Sequence, residues 1–362
     1  MFILYLSHLE GSKFIGPSYS VPKQIESQSK LDDVFWYNGT KKTIENWCKL
    51  KYYHDKNEYK REDIGSFPKN YSNPDLVVVE GFYNMAKSPL MLELIRKNIP
   101  YIIIPRGELT YKAQKSKSLK KSVANFLLFN RYAKKAIAIQ YLTEQEYKDS
   151  GDKWNKNHIV IPNGTDRPNK VKTEFSKEKI KCVSIGRIAL YPKGLDILVS
   201  ACSKIKEELI SANVTIDIYG PDRNNNKKEL ELSVKEKALT EIISIHDGIY
   251  DEEKSKVLLD HDVFLMPSRF EGHPMALIEA LAYGLPCVAT KGSNMKEEIA
   301  KYDCGWTADT DEDSLCQALL AMIREKDLIC QKSENAKLLA QKYNWNKIAN
   351  QSHETYLEIL KK

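Results

Sequence analysis

No stretch of these 362 residues is apolar for long. Runs such as 101–104 and 263–266 are strand-length, far short of the roughly 20 residues that span a bilayer. Cysteine is sparse and scattered: the seven, at positions 48, 182, 202, 287, 304, 316 and 330, are odd in number and form no Cys-x-x-Cys pair. That excludes a disulfide framework and a cysteine zinc site, and it fits a reducing cytoplasm. The seven histidines contain no His-x-x-x-His pair. The opening Met1-Phe2-Ile3-Leu4-Tyr5-Leu6-Ser7 has neither a basic start nor a cleavage site, so it reads as a first strand rather than a signal peptide. Short-period repeats and low-complexity tracts are missing too.

What is present describes a globular protein, with 42% hydrophobic and 29% charged residues. The length suits two domains rather than one core. The net charge of +6 is modest, but acids are missing altogether between Glu108 and Glu144. That interval carries Lys112, Lys115, Lys117, Lys120, Lys121, Arg131, Lys134 and Lys135, interleaved with Leu119, Val123, Phe126, Leu127, Leu128 and Phe129. Such a basic, partly apolar helix over 112–135 can dock on an anionic membrane surface, or be an ordinary packed helix with a solvated lysine face. No nucleic-acid-binding module accompanies the bases, so nucleic acid is not an expected partner.

Strand and helix patterns alternate along the chain, which predicts an α/β protein. Strands are expected at 2–7, 34–37, 75–80, 101–104, 136–140 and 158–161, with helices at 19–28, 87–97, 115–134 and 144–149. The polar, lysine- and tyrosine-rich excursion at 38–74 has no readable pattern. Proline, Asn163-Gly164 and the charged stretch 167–179 mark a hinge. A second series follows, with strands at 180–185, 214–219, 242–246, 262–266, 286–290 and 304–307. Its helices are expected at 194–208, 227–237, 252–259, 275–283, 311–325, 327–342 and 344–361. The expected division is therefore 1–166, a linker at 167–179, and 180–343, with 344–362 returning to the first domain. Two open parallel sheets would put a ligand at their carboxyl ends.

The richest segment is 267–290. Glu271 lies on a turn and Glu279 eight positions later, inside a helix that Pro274 opens and Gly284-Leu285-Pro286 stops. Backbone amides of Met275, Ala276 and Leu277 would face an anion at the helix start, with one acid beside it and one behind. A ligand with phosphates and hydroxyl-rich rings suits this arrangement: a nucleotide sugar. Upstream, Gly186-Arg187 leaves a strand and Lys193-Gly194 opens a helix. Arg187 and Lys193 can converge on a diphosphate, the Arg through its planar fork and the Lys as a point charge. Fixed positive charge of this kind stabilises a departing nucleoside diphosphate.

Pro267-Ser268, Glu271-Gly272, Glu279 and Gly284-Leu285-Pro286 closely resemble the donor-site signature of retaining family 4 glycosyltransferases. Gly186-Arg187 and Lys193-Gly194 match a second signature of that family. The resemblance implies a GT-B fold: two Rossmann-like domains whose parallel sheets face an inter-domain cleft. It implies that Glu271 holds the donor sugar's hydroxyls, Glu279 the ribose, and Arg187 with Lys193 the diphosphate, with Gly186 and Gly272 lining the donor site. Gly16 corresponds to the family's glycine loop after the first strand, and Gly248 with Ile249 to the loop whose backbone touches the base. Arg106, in Pro105-Arg106-Gly107, stands where the family has a histidine against the reacting sugar. It would stabilise the donor phosphate or bind an acidic acceptor group. His273 would line the donor turn.

The Asp-x-Asp triplets Asp260-His261-Asp262 and Asp309-Thr310-Asp311 lie away from these signatures, so no metal site is expected, and no cofactor beyond the donor. The donor is expected to be UDP-linked, with GDP the alternative, and to give up a hexose-type sugar with retention. The acceptor is expected to be a lipid-linked bacterial surface glycan of the capsule or O-antigen type. The enzyme would be cytoplasmic and peripheral on the membrane's inner face. Two other readings stay open: a nucleotide-sugar epimerase or hydrolase of the same architecture, and a non-catalytic partner that keeps the fold.

Overall fold

The computed structural model describes residues 1–11, 16–41, 43–115, 129–176, 178–222 and 225–361. Its contacts divide the chain into two units, one of residues 1–164 with 345–362 and one of residues 165–344.

Among its described residues the first unit holds seven strands: β1 (Phe2–Ser7), β2 (Asp33–Asn38), β3 (Tyr53–Asp55), β4 (Leu76–Glu80), β5 (Tyr101–Ile104), β6 (Ala138–Tyr141) and β7 (His158–Val160). They form one sheet in the order β3-β2-β1-β4-β5-β6-β7, and every pairing is parallel. Both faces are covered, so the strands read as continuous apolar runs rather than alternating ones. All five residues of β4 are buried. The excursion at 38–74 turns out to build the sheet's edge. Phe35 stacks on His54 at 4.1 Å and meets Phe67 and Tyr71, while Trp36 packs on Trp47 and Tyr53. Aromatic burial, spaced without strand or helix period, is what holds this segment down.

The second unit holds β8 (Ile180–Ile185), β9 (Val214–Tyr219), β10 (Ile243–His246), β11 (Val263–Met266), β12 (Cys287–Thr290) and β13 (Gly305–Ala308), again all parallel, in the order β10-β9-β8-β11-β12-β13. Residues 167–179 belong to this unit rather than standing apart as a linker. Within it, the Lys172 amide donates to the Tyr283 carbonyl at 2.7 Å and its ammonium meets Asp262 at 3.1 Å.

Several helices depart from expectation, among them Lys296–Tyr302, which no expected element covers. The helix expected at 194–208 breaks at Ile205 into Leu195–Lys204 and Lys206–Ser211. Of the long basic helix expected at 115–134, the described parts are Tyr111–Lys115 and Asn130–Lys135, and Lys117, Lys120 and Lys121 lie outside the described residues. The last helix, Trp345–Leu360, belongs to the first unit, where the Tyr356 hydroxyl donates to Gln140 at 2.7 Å and His353 meets Asp32 at 2.9 Å. None of the helices among the described residues is long and apolar enough to cross a membrane.

Candidate active site

Strand order reverses at β8/β11 in the second sheet, because β9 and β10 extend to one side and β12 and β13 to the other. At such a switch point the loops leaving two adjacent strands diverge and open a crevice at their carboxyl ends. The two loops here are Gly186–Gly194, after β8, and Pro267–Pro274, after β11. Chain connectivity thus brings together the two segments that the sequence singles out.

Their side chains meet. The Lys193 ammonium lies 2.6 Å from Glu271 Oε1, and the Ser268 hydroxyl donates to the same oxygen at 2.7 Å. Lys193 and Glu271 are mostly buried, with 24% and 15% of their side chains exposed. Lys193 also lies against Gly186. Arg187 is exposed, and among the described residues it makes no hydrogen bond or ion pair. Gly194 fixes how closely the loops approach. Its φ is +64°, and a Cβ there would sit 1.9 Å from the Pro267 carbonyl oxygen, so no other residue fits.

Three residues that the sequence does not flag hold this geometry. Arg269 grips Asp196 with both terminal nitrogens, at 2.6 and 2.7 Å, donates to the Tyr191 carbonyl at 2.8 Å, and lies 4.4 Å from the Tyr191 ring centre. It pins the Lys193 loop to the Glu271 loop. Asn294 donates its amide to the carbonyls of Glu271 (2.5 Å) and Gly272 (3.1 Å), fixing the turn. Thr290 donates to the Ser268 carbonyl at 2.6 Å. Arg269 occupies a variable position of the signature, and Asn294 and Thr290 lie beyond it, so spacing alone gives no clue to them.

The helix after the turn is Met275–Tyr283, closed by Gly284 in a left-handed turn at φ +89° with the Leu285 amide bonded back to Ala280. One expectation needs correction. Pro274 sits just before the helix rather than as its first residue, and the Leu277 amide donates to the Pro274 carbonyl at 3.0 Å. Leu277 is fully buried and packs into the core, so the amides suited to an anion are those of Met275 and Ala276. Glu279, one turn on, is 20% exposed and is held by the Lys254 ammonium from the helix Asp251–Asp260. Lys254 has no sequence signature. His273 is buried rather than lining an open site, its ring 5.1 Å from that of Tyr343, and burial pushes its pKa down to about 3. It is therefore neutral near pH 7.

In the loop after β10, Ile249 is buried, Gly248 lies against Tyr250 and Pro221, and the Asp247 carboxylate pairs with Lys227 at 2.7 Å. Both Asp-x-Asp triplets are engaged elsewhere. Asp260 pairs with Lys181, and Asp262 with Lys172 and the Lys181 amide. Asp309 pairs with Lys296, and Asp311 caps the helix Glu312–Arg324 through the Ser314 amide at 2.8 Å.

In the first unit Gly16 is exposed at the start of the helix Gly16–Gln28. Arg106 faces inward, contrary to the substrate-contacting role expected of it. Its side chain is 7% exposed, and the guanidinium bonds Glu80 at 2.7 Å, Gln24 at 2.8 Å, Asn163 at 3.0 Å and Ser20 at 3.1 Å. Glu80 is fully buried, so the cation is fixed by the need to neutralise it. Arg106 ties two strand ends, the first helix and the Asn163 turn together, and little of it is left for a ligand.

Comparison with known proteins agrees with this layout. Residues 166–339 match the glycosyl transferases group 1 family. The chain is 29% identical over 163 residues to the putative colanic acid biosynthesis glycosyltransferase WcaL of Escherichia coli, a match covering 41% of this chain and 39% of that one. It thus spans about two fifths of the length of that relative. Sucrose-phosphate synthase from Thermosynechococcus elongatus superposes with a TM-score of 0.77 at 15% identity, covering 100% of both chains. Anabaena HepE, solved in complex with UDP, gives 0.76 at 15% identity, covering 99% of this chain and 100% of that one. At such identities the structural likeness establishes the fold alone, and that fold is GT-B.

Proposed function

We propose, from the match of residues 166–339 to the glycosyl transferases group 1 family, that this chain transfers a hexose-type sugar from a nucleoside-diphosphate sugar to a glycan acceptor, with retention at the anomeric carbon. The observation that carries this is the Lys193–Glu271–Ser268 cluster at the β8/β11 switch point, directly before the helix Met275–Tyr283. A diphosphate set against the amides of Met275 and Ala276 would be neutralised by Lys193 and the unengaged Arg187. Its sugar would then lie by Glu271 and its ribose by Glu279. Positive charge held in place before reaction stabilises a leaving phosphate without reorganisation.

No protein nucleophile is needed if the departing phosphate oxygen takes the acceptor's proton on the same face. Arg106 acts at a distance in this scheme, by holding the first helix and its Gly16 end. UDP is the first choice of carrier, supported by the UDP bound to HepE, and GDP the second. The acceptor is a lipid-linked intermediate of a bacterial surface polysaccharide, supported by the colanic acid assignment of WcaL. The basic stretch 112–135 would bring the enzyme to the inner face of the plasma membrane. The Asp-x-Asp carboxylates are occupied by lysines and a helix cap, so the reaction is expected to run without a metal and to survive excess chelator.

The test is release of nucleoside diphosphate from a panel of UDP- and GDP-sugars, with and without a membrane glycolipid extract. Acceptor-dependent release with label appearing in lipid supports transfer. Release or sugar isomerisation that ignores the acceptor would replace transfer with an epimerase or hydrolase.

A further inference from the structure

Glu279 is not a lone carboxylate. The Lys254 ammonium donates to its Oε2, and both side chains are about four-fifths buried, at 23% and 20% exposed. The two helices that carry them are joined a second time, one residue on, where Ser255 Oγ meets the Tyr283 hydroxyl at 2.7 Å. Lys254 is therefore held in place, not sweeping through solvent. A carboxylate only accepts hydrogen bonds and an ammonium only donates them, whereas each hydroxyl of a vicinal diol does both. A fixed Lys–Glu pair thus presents one donor and one acceptor group side by side, the complement of a cis-diol. Glu279 Oε1 remains to accept, and the ammonium has donors beyond the one spent on Oε2. The same pairing recurs at Lys193–Glu271, next to where the sugar's own hydroxyls would lie.

We propose that Lys254 is a specificity-determining residue that reads the ribose diol together with Glu279, and so makes the site select ribonucleotides over deoxyribonucleotides. This rests on the assignment of the second unit to a nucleoside-diphosphate sugar. The lysine does two things. It holds the carboxylate in one orientation, and it supplies a charged donor to the hydroxyl oxygen that Glu279 cannot serve.

Calorimetric titration of the whole chain with UDP, GDP and their 2′-deoxy forms tests this, in wild type, Lys254→Met, Lys254→Gln and Lys254→Arg, each checked for an unchanged melting transition. Wild type should prefer the ribonucleotide by about tenfold or more, the size of one charge-assisted hydrogen bond. In Lys254→Met and Lys254→Gln that preference should fall below about twofold, and Lys254→Arg should keep most of it. General loosening of the site would weaken both nucleotides together and leave the ratio alone. A wild-type ratio retained in Lys254→Met and Lys254→Gln would overturn the role of the lysine and leave the diphosphate site standing. Equal wild-type affinity for ribo- and deoxy-forms would overturn the placing of the ribose. Wild type binding neither UDP nor GDP would sink the nucleotide-sugar assignment itself.

Discussion

Glu271→Gln is expected to tighten the bare nucleoside diphosphate while it slows sugar transfer. The Lys193 ammonium sits 2.6 Å from the Glu271 carboxylate, so an incoming phosphate must compete with that carboxylate for the same cation. Exposed ion pairs are worth ~0.2–1 kcal/mol, and breaking buried ones costs ~3–5 kcal/mol. With 24% and 15% of the two side chains exposed, this pair lies between those limits. An attraction of ~1–2 kcal/mol then opposes the phosphate, and removing it should strengthen UDP or GDP binding about 5- to 30-fold, since 1.4 kcal/mol is tenfold. Glutamine keeps the shape and can still accept from Ser268, so the turn should survive. Transfer should nonetheless fall by about a hundredfold or more, because the sugar loses its charged partner. Lys193→Met should weaken the bare nucleotide, and adding Glu271→Gln to it should bring no recovery, which is the coupling expected of residues in contact. Calorimetric titration of the two single variants and the double variant measures all three terms. If Glu271→Gln weakened the bare nucleotide as much as Lys193→Met does, the carboxylate would be part of the phosphate site and not its competitor, and the reasoning would fail.

Three other outcomes follow from the geometry. Gly194→Ala should lower the urea midpoint sharply, because its Cβ meets the Pro267 carbonyl at 1.9 Å, whereas Gly16→Ala, with nothing among the described residues within 4 Å, should leave it within error; equal shifts would contradict the close approach of the loops. Arg106→Met strands the buried Glu80 carboxylate and should cost ~3–5 kcal/mol in urea unfolding, while Arg106→Met with Glu80→Gln should recover much of that; a single-variant loss under ~1 kcal/mol would show that the cation is not needed there. Hydrogen bonding from His261, with His246 adding to it, holds the Asp217 carboxyl below its ordinary pKa, so its contribution to stability is present above about pH 4 and is lost as the pH falls through the lowered folded-state value. Asp217→Asn should therefore be less stable than wild type at neutral pH, with the gap closing on acidification, and a gap that widened in acid would reverse the sign.

The sequence is most legible where period and punctuation agree. Met275–Tyr283 keeps its expected bounds because Pro274 just before it and Gly284 just after it constrain the backbone itself, and β9 keeps its expected bounds because buried Val214, Ile216 and Ile218 alternate with half-buried residues at strand period. Residues 38–74 are illegible for a physical reason. Phe35, His54, Tyr59 and Phe67 are united by ring packing across the sheet edge, and such contacts leave no period along the chain. At the candidate site, the signature names Glu271, Glu279, Arg187 and Lys193, but not Lys254, Arg269 or Asn294. Those three act on neighbours brought near by strand order, so nothing local marks them. Arg106 shows the opposite failure: position in a signature suggested contact with a ligand, and the buried Glu80 beside it decided otherwise.

Thr165 and Asn344 form a parallel bridge, with the Thr165 amide on the Tyr343 carbonyl at 2.5 Å, so the second unit is a continuous piece of chain whose two ends meet. The first unit is discontinuous. A Cβ on Gly164 would fall 2.4 Å from the Trp345 ring, and the helix that follows carries Tyr356 and His353 to their partners Gln140 and Asp32. During synthesis the first unit must therefore wait for residues 345–361, while residues 165–344 have all their own strands in hand before that segment emerges. Order of manufacture and order of completion run in opposite directions. Until residues 345–361 leave the ribosome, the surface that they later cover on the first unit stays open to whatever else is in the cell.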